Sequence, residues 1–560
     1  MSRPTLAEAI RQLSCLAEVR GAHEAADLHA AFRILDPLSP SALATLVAGI
    51  DSGLATASTQ IPAAAAQAIR DVQALGADTV LARARLQLPS LHRWLLDLGA
   101  ITHDQAAHLA RDFGIVILAD LQAALDEGRL AKLPVGTAER LATAAVKIAA
   151  ESSPVPLGRA LDLLEALQQT IAAHCPAIEE TVVAGDARRY EPLVAVPALV
   201  ARTTAPAEAL NALAAAPGID QTVYRSGRRL LVDIQHVEID VRLAAPDDLG
   251  TVLFTATGSA EHVKTVASRR RRPDLCAREV DVYSHAGLPW IPAEMRNGTG
   301  EVDAAAAGHL PHLVERSDMR GDLHMHSTYS DGQDTIETMV AAADALGYEY
   351  LAITDHSPSA AASRTVTRGQ LSRQREDIDR VRERYPHMTI LHGIEVDILA
   401  DGRLDFSDAV LEQLDIVIAS LHDRARHDGA ALTRRCLTAI HHPLVNIISH
   451  PANQLVGRRA GYPLDFEALF SAAVETGTAL EIDGAPSHLD LDGEHARAAV
   501  SAGVTVTIDS DCHRARALDR QMCLGVGTAR RGWVEAKQVL NTRPIGEVQA
   551  FIAAKRRRAR

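Results

Sequence analysis

Apolar and polar positions follow two alternating periods in the C-terminal half of the chain, from Met319 onward. Short apolar runs, rich in β-branched residues, alternate with longer stretches in which apolar residues recur at helical spacing. The predicted strands are Gly321–His324, Tyr350–Thr354, Thr389–Ile394, Ile416–Ser420, Val445–Ser449, Ala479–Ile482 and Val504–Ile508. Seven strand–helix units in succession predict an α/β barrel of parallel strands over residues 318–560.

The N-terminal region, residues 1–150, has apolar residues at helical spacing and is predicted to be all-α. Short glycine-containing turns are predicted at Leu98–Thr102 and Leu133–Thr137. Both look like degenerate helix-hairpin-helix elements, in which backbone N–H groups at a helix start bind a DNA phosphate. Turns that serve packing alone are the alternative, because each carries one glycine where the element usually carries two.

The pattern of apolar and polar positions changes after residue 150. Residues 151–287 are predicted as an α+β region, beginning with a helix over Leu157–His174 and continuing with five strands. Residues 288–317 are predicted as a loop-rich linker between this region and the barrel. A multidomain protein results, as expected for 560 residues.

Candidate metal ligands follow the predicted barrel strands one after another. His324 and His326 lie at the end of the first strand and are expected on one face of it, with Asp331 in the loop that follows. The remaining candidates at strand ends are His356, Glu395, His422, His450, Asp511 and His513. Because active sites of such barrels lie at the carboxyl ends of the strands, we expect these side chains to converge on one multinuclear metal site.

Imidazole and carboxylate ligands together suit Zn, Mn or Fe, and the sequence does not select among them. Neighbouring divalent ions activate water and neutralise phosphate charge, so the site favours phosphoester hydrolysis with no separate protein nucleophile. Arg364 and Arg458 are candidates for binding the phosphate.

Composition and net charge bear on the partners and the cellular location of the protein. The net charge of −14 does not favour a nonspecific nucleic-acid binder, although Arg269–Arg272 form a local basic cluster and Lys555–Arg560 a basic tail that is expected to be a solvated end. The six cysteines include no Cys-x-x-Cys pair. With no membrane-length apolar run and no signal-peptide pattern, we expect a cytoplasmic protein without membrane contact.

The motifs Gly321-Asp322-Leu323-His324-Met325-His326, Thr354-Asp355-His356, Gly393-Ile394-Glu395, Ser420-Leu421-His422, Ser449-His450-Pro451 and Asp511-Cys512-His513 resemble those of the PHP (polymerase and histidinol phosphatase) phosphoesterases. The resemblance implies a distorted (β/α)7 barrel and a trinuclear centre. All nine ligands are implied to be present: His324, His326, Asp331, His356, Glu395, His422, His450, Asp511 and His513.

We assign catalytic roles to five of these ligands: His324, His326, Glu395, Asp511 and His513. The expected grouping places His324, His326, Glu395 and Asp511 on one ion. It places Glu395, His422 and His450 on a second ion, and Asp331, His356 and His513 on a third.

The region upstream resembles family X DNA polymerases that carry a C-terminal PHP domain, notably at Trp290–Arg296 and Leu310–Val314. This resemblance implies that the region contains a nucleotidyltransferase-like palm. The matching polymerase-site residues are Gly185, Arg188, Arg189, Asp240, Gly258 and Ser259.

Two polymerase carboxylates are replaced. Counting from the Gly185 turn, the family's Asp-x-Asp pair falls at Val196 and Ala198, which leaves Asp240 on a strand shared with Glu238. One aspartate cannot hold two Mg²⁺ ions for in-line transfer, so this site is expected to be vestigial and not to use Mg²⁺.

The favoured function is a metal-dependent 3′–5′ exonuclease or 3′-end processing enzyme of DNA repair, acting on primer–template or gapped DNA. A small-molecule phosphatase similar to histidinol phosphatases is the first alternative. Residual DNA synthesis at Glu238 and Asp240 is the second, and a non-enzymatic DNA-binding module is the third. The oligomeric state is not defined by the sequence.

Overall fold

The computed structural model describes residues 4–52, 61–270, 275–360 and 364–558. Part of the predicted basic cluster Arg269–Arg272 and the last two residues of the basic tail therefore lie outside the described residues. No helix among the described residues is long and apolar enough to cross a membrane.

The N-terminal region is helical, as predicted. Its α-helices are Leu6–Arg20, Glu24–Leu35, Pro40–Asp51, Ala63–Leu75, Ala77–Leu86, Ser90–Asp97, His103–Phe113, Leu118–Asp126 and Thr137–Glu151, with a 3₁₀ turn at Arg129–Lys132. Thr102 caps the helix that follows the first predicted hairpin turn, accepting a hydrogen bond from the backbone N–H of Gln105. Gly99 and Gly136 take positive φ angles of 64° and 77° in the two turns. Both turns line one cavity of about 450 Å³.

The middle region contains a short antiparallel pair, β1 (Val155–Pro156) with β3 (Leu193–Val194), and a five-stranded sheet in the order β2-β4-β7-β6-β5. The strands of this sheet are β2 Glu180–Ala184, β4 Ala198–Arg202, β5 Gln221–Arg225, β6 Arg229–Ile234 and β7 Val237–Ala244. Its α-helices are Leu157–His174, Gly185–Arg188, Pro206–Ala214, Leu249–Thr257, Ala260–Arg269 and Glu279–His285. The sequence predicted one strand over Leu193–Arg202, but two form, because Pro197 cannot donate the next ladder hydrogen bond.

Residues 288–317 are not a loose linker. They contain a 3₁₀ turn at Ala293–Met295, an α-helix at Glu301–Ala306 and a second 3₁₀ turn at Arg316–Asp318. Arg296 is fully buried there, where it pairs with Glu279 and donates to the carbonyl of Ile291 at 2.9 Å. The predicted loop-rich segment therefore also contains short helical elements and a buried, paired arginine, which hydrophobic patterning does not reveal.

The C-terminal region has seven parallel strands in sequence order: β8 Gly321–Asp322, β9 Tyr350–Ile353, β10 Thr389–Asp397, β11 Ile416–Ser420, β12 Ile447–Ile448, β13 Ala479–Asp483 and β14 Val506–Asp509. The α-helices around them are Ile336–Ala345, Arg368–Arg384, Asp408–Leu411, Gly429–His441, Phe466–Thr476, Gly493–Ser501, Leu518–Arg531 and Ile545–Arg558, with 3₁₀ turns at Ala515–Ala517, Ala536–Gln538 and Leu540–Thr542.

The first and last strands of this barrel meet through side chains and a single bridge. Met325 and Cys512 form an isolated parallel bridge beyond the strand ends. Nearer the strands, the amide of Asn541 donates to the carbonyl oxygens of Gly321 at 3.1 Å and Ile508 at 2.6 Å. The barrel is thus nearly closed, and one asparagine side chain spans the seam.

The basic tail is a helix that packs under the barrel. Val548 and Ile552 belong to the same apolar cluster as barrel residues such as Tyr350 and Ile418. Lys555 is only 3% exposed and donates to the carbonyl of Ile440 at 2.8 Å. The expectation of a solvated end was wrong for this residue, because apolar neighbours on the same helix face carry it into the core.

Burial lowers the pKa of Lys555 to about 7, well below that of an exposed lysine. A lysine whose folded-state pKa is depressed binds its proton more weakly in the folded than in the unfolded chain. Stability therefore rises as pH increases from about 7 towards the unfolded pKa of about 10.4.

We predict that Lys555→Met removes this part of the pH dependence. Its free energy of unfolding, measured with urea at pH 7 and pH 9.5, should rise less with pH than that of the wild type, by about 1–3 kcal/mol. Lys264→Met, at an exposed lysine, is the control and should match the wild type. Equal pH dependence in Lys555→Met and the wild type would contradict the prediction.

Candidate metal centre

The structure brings all nine predicted ligands to the carboxyl ends of the barrel strands. His324 and His326 lie beyond β8, which ends at Asp322, so the prediction that they share one strand face was wrong in detail. Their rings are nevertheless adjacent, with Nε2 atoms 3.2 Å apart. The pairing of Met325 with Cys512 provides the extended backbone that the short strand lacks.

Glu395, at the end of β10, is the centre of the cluster. Its carboxylate is fully buried and contacts imidazoles from several strand ends. The distances from its oxygens are 2.7 Å to His356 Nδ1, 3.0 Å to His450 Nε2, 3.2 Å to His422 Nε2, 3.5 Å to His324 Nε2 and 3.6 Å to His326 Nε2.

The other carboxylates bring the last ligands together. Asp511 Oδ1 lies 2.9 Å from His326 Nε2, and Asp331 Oδ1 lies 3.1 Å from His513 Nε2. Asp511 takes a left-handed backbone conformation, with φ of 49°, which is uncommon for a residue with a side chain and often found at functional sites.

Among the described residues, four groups of side-chain atoms lie close enough together to hold a metal ion, and three of these groups consist only of predicted ligands. They are His326, Asp331, His356 and His513; His324, His326 and Asp511; and His356, Glu395 and His422. The expected third ion set is fully contained in the first of these groups. The other two expected sets differ from the observed groups. In the second set, His356 takes the place of His450 beside Glu395 and His422. In the first set, Glu395 is absent from the group that contains His324.

Several ligand atoms face the cluster without a hydrogen bond, although they are buried: Asp331 Oδ1, His356 Nδ1, Glu395 Oε2 and Asp511 Oδ1. Buried polar atoms are nearly always paired, and atoms that approach one another without hydrogen-bond geometry are expected where they point at a shared cation. The residues present therefore fit divalent metal ions.

Other buried carboxylates orient the ligands. Glu481 Oε1 lies 2.7 Å from His324 Nδ1, and Asp397 Oδ1 lies 3.1 Å from His422 Nδ1. Each contact leaves Nε2 of the imidazole free for a metal, the arrangement that tunes metal-bound histidines in many sites. Asp355 accepts hydrogen bonds from the backbone N–H groups of Ser327 at 2.8 Å and Ser330 at 3.1 Å, and so holds the loop that carries Asp331.

Sequence reasoning missed these supporting residues. The available signal was an acidic residue near the end of a predicted strand, in Glu395-Val396-Asp397 and Glu481-Ile482-Asp483. Their role could not be read from it, because only the fold shows which histidine each carboxylate meets.

The protonation of the cluster follows from these contacts. Burial alone would lower the pKa of His422 and of His513, but Glu395 raises the first to about 10 and Asp331 raises the second to about 9. His326 differs, because burial and the charges of His513 and His356 lower its pKa to about 3. The raised pKa values of His422 and His513 mean that imidazolium–carboxylate pairs lie where cations would bind. Metal binding must displace the protons of these imidazolium groups.

A cavity of about 300 Å³ opens onto the cluster. Arg459 lines it and is anchored by donating from Nη2 to the carbonyl of Asn453 at 2.7 Å. Of the predicted phosphate ligands, Arg458 is exposed and does not line the cavity, and Arg364 donates to the carbonyl of Gly332 at 3.2 Å. Arg459, the neighbour of the predicted residue, is the arginine at this cavity.

His488 also lines the cavity and was not predicted. Its Nδ1 lies 3.0 Å from the carbonyl oxygen of Gln454, which fixes the ring. It forms a further group of possible ligands with Asp483 and Asp511.

The residues predicted for the polymerase site are brought together. Their charged side chains form ion pairs and hydrogen bonds with one another and with neighbouring residues. Asp240 is fully buried, and both its oxygens accept from arginines: Oδ1 from Arg229 Nε at 2.7 Å and Oδ2 from Arg242 Nε at 2.9 Å. Burial would raise the pKa of Asp240, but these arginines lower it to about 2. Ala198 is the register partner of Asp240 across β4 and β7.

Glu238 accepts hydrogen bonds from the backbone N–H and hydroxyl of Ser90, both at 2.7 Å, at the start of the helix Ser90–Asp97. Its carboxylate is therefore already bonded to the helical region.

The predicted nucleotide-binding turns are occupied by internal pairs. Gly185 starts a short helix with a positive φ of 65°. Arg188 pairs with Glu279 at 2.9 Å, and Arg189 pairs with Asp186 at 2.6 Å. Gly258 follows a helix that ends at Thr257, and the Ser259 hydroxyl caps the next helix by accepting from His262 N at 3.2 Å.

Residues 322–450 match the model of the PHP domain family. The chain is 33% identical over 481 residues to "DNA polymerase/3′-5′ exonuclease PolX" of Bacillus subtilis (strain 168), covering 82% of this chain and 84% of that protein. It is 32% identical over 251 residues to a "Probable phosphatase" of Thermoanaerobacter sp. (strain X514), covering 42% of this chain and 96% of that protein.

Among solved structures, a histidinol phosphate phosphatase of Lactococcus lactis complexed with zinc, L-histidinol and phosphate matches 38% of this chain and 94% of its own, with 18% identity and a TM-score of 0.31. At this score the likeness carries no argument about this chain. The PolX relative, in contrast, aligns over more than four fifths of both chains. On that alignment, and with a PHP domain in its C-terminal half, the chain belongs to the PolX family.

Proposed function

We propose that the chain is a metal-dependent phosphoesterase that acts as a 3′–5′ exonuclease on DNA, and that its polymerase-like module does not synthesise DNA. The observation that supports the proposal is the convergence of the nine candidate ligands, with Glu395 at their centre, in a chain whose predicted polymerase site keeps one aspartate that is paired with two arginines. DNA as substrate is supported by the PolX relative, whose name includes 3′–5′ exonuclease.

The domain roles follow from this assignment. Residues 1–150 act as a degenerate helix-hairpin-helix region, 151–287 as a vestigial palm, 288–317 as the connection and 318–560 as the hydrolytic domain. The connection is a packed one, since Arg530 of the barrel pairs with Glu294 at 2.7 Å and Arg497 Nη1 of the barrel donates to the carbonyl of Thr299 at 3.2 Å.

The nine ligands would hold three divalent ions, Mn or Zn, with Fe as a further candidate. Bound there, such ions lower the pKa of water and neutralise charge on the phosphate. Glu481 and Asp397 keep the imidazoles of His324 and His422 in the orientation that presents Nε2. Arg459 binds a non-bridging phosphate oxygen at the cavity, because a guanidinium matches phosphate geometry.

A small-molecule phosphatase is the second candidate. The cavity at the cluster, about 300 Å³, is large enough for a phosphate monoester. The relatives named phosphatases span less than half of this chain, so this candidate leaves the N-terminal half without a role.

We predict that His513→Ala lowers phosphodiester hydrolysis at least about 100-fold and reduces bound metal per chain, because it removes an imidazole from the Asp331–His356 group. His513 is 32% exposed in its side chain, so the variant should fold. Hydrolysis of bis(p-nitrophenyl) phosphate and elemental analysis of the purified chain measure the two effects.

The control is His387→Ala, at a surface histidine that pairs with Asp344. It should retain full activity and metal. Full activity together with full metal content in His513→Ala would refute the ligand assignment.

We further predict that a 5′-labelled primer–template incubated with Mn²⁺ and all four dNTPs is shortened and never extended. Shortening should disappear in His513→Ala, which separates this activity from a contaminating nuclease. Extended primer would refute the loss of synthesis, and an unchanged primer would favour the small-molecule phosphatase.

A further inference from the structure

A second cavity, of about 280 Å³, lies beside the metal cluster on the same rim of the barrel. The loop after β12 separates the two cavities. His450, Asn453 and Arg459 of this loop line the first cavity, whereas Ala452 and Gln454 line the second. A molecule whose phosphate reaches the metal cluster could therefore extend into the second cavity past a wall of one loop.

Tyr462 connects the two cavities structurally. Its side chain lines the second cavity, and its hydroxyl donates to the carbonyl of His422 at 3.1 Å while accepting from Asn453 Nδ2 at 3.2 Å. These bonds tie one side of the second cavity to a ligand of the metal cluster, so the spacing between the two cavities is set by short contacts.

Asp490 supplies an unusual feature of the second cavity. Its side chain is 1% exposed, yet Oδ2 has no hydrogen-bond partner. A buried carboxylate oxygen without a partner is costly, and a site that keeps one can be satisfied by a ligand that brings an N–H or O–H donor.

Part of the cavity wall is aromatic and apolar. Phe466 lines the cavity with its ring centroid 4.0 Å from that of His495, and Leu464 and Pro463 complete this side. His495 Nδ1 lies 3.0 Å from Asp492 Oδ1, which fixes the orientation of its ring. Aromatic side chains beside an unpartnered acceptor oxygen favour a planar ring that carries an N–H donor on its edge.

We propose that this second cavity binds a nucleobase of the substrate, with Asp490 accepting a hydrogen bond from an exocyclic amino group. The inference rests on the proposed function and names the part of the substrate that lies beside the scissile phosphate. Cytosine, adenine and guanine carry such an amino group. Thymine carries a single N–H between two carbonyl oxygens, which the carboxylate repels, so the cavity discriminates against thymine.

Binding of free 2′-deoxynucleosides to the full-length, metal-loaded chain tests the proposal, because these probes have no phosphate and need no hydrolysis. Ligand-observed NMR should show deoxycytidine, deoxyadenosine and deoxyguanosine binding, with thymidine about tenfold weaker. Asp490→Asn should reduce this preference, because an amide can donate to thymine carbonyls. Phe466→Leu should weaken binding of all four, because the stacking surface is lost.

The matched control is Glu494→Gln, which removes an exposed carboxylate two residues beyond Asp492 and should change neither affinity nor preference. Failure of the wild type to bind any nucleoside, or equal binding of all four, would overturn the proposal without the need for a variant. Unaltered preference in a folded Asp490→Asn would do so as well.

The outcomes separate this proposal from the proposed function. A shortened primer without nucleoside binding would leave the exonuclease and remove the base site. Nucleoside binding without a shortened primer would keep the base site and remove the exonuclease.

Discussion

The fully buried carboxylate of Glu395 is the constraint on which the barrel's chemistry depends. A charge cannot be stable inside a protein without partners, and this one has imidazoles on several sides and no direct contact with solvent. The strand that carries it, β10, is the longest of the barrel and lies third from the seam on the β8 side, near the middle of the sheet. Every neighbouring strand end therefore delivers a histidine towards the same point.

The five-stranded sheet of the middle region stabilises a buried carboxylate in a different way. Asp240 is as buried as Glu395, but its partners are arginines with fixed positive charge. Arg229 also reaches Asp120 of the helical region at 2.8 Å, so the aspartate helps to join two regions of the chain. Histidines can lose a proton and bind a cation, whereas arginines cannot, and this difference separates a potential metal site from a structural ion-pair network.

Much of the barrel could be predicted from the sequence. Its seven strands alternate with helices, and each candidate ligand lies near the carboxyl end of a strand or in the loop that follows it, so the hydrophobic period and the positions of the motifs agree. The multidomain order and the helical N-terminal region were predicted for the same reason. The supporting carboxylates Glu481 and Asp397 and the cavity residues Arg459 and His488 could not be predicted, because their roles depend on contacts between strand ends far apart in sequence. The buried charges of Arg296 and Lys555 were missed, because composition treats every charged residue as a surface residue.

Asn541 has a consequence for the order of events during synthesis. Its amide bonds β8 to β14 across the seam, and the residue stands near the C-terminal end of the chain. His324 and His326 emerge from the ribosome long before Cys512 and Asn541, which hold their backbone in place. Non-local contacts of this length form slowly, and a domain folds as a unit once its last part is available. The backbone of His324 and His326 is therefore held in place only after Cys512 and Asn541 have been synthesised. A product truncated before Cys512 exposes these histidines without an assembled metal site.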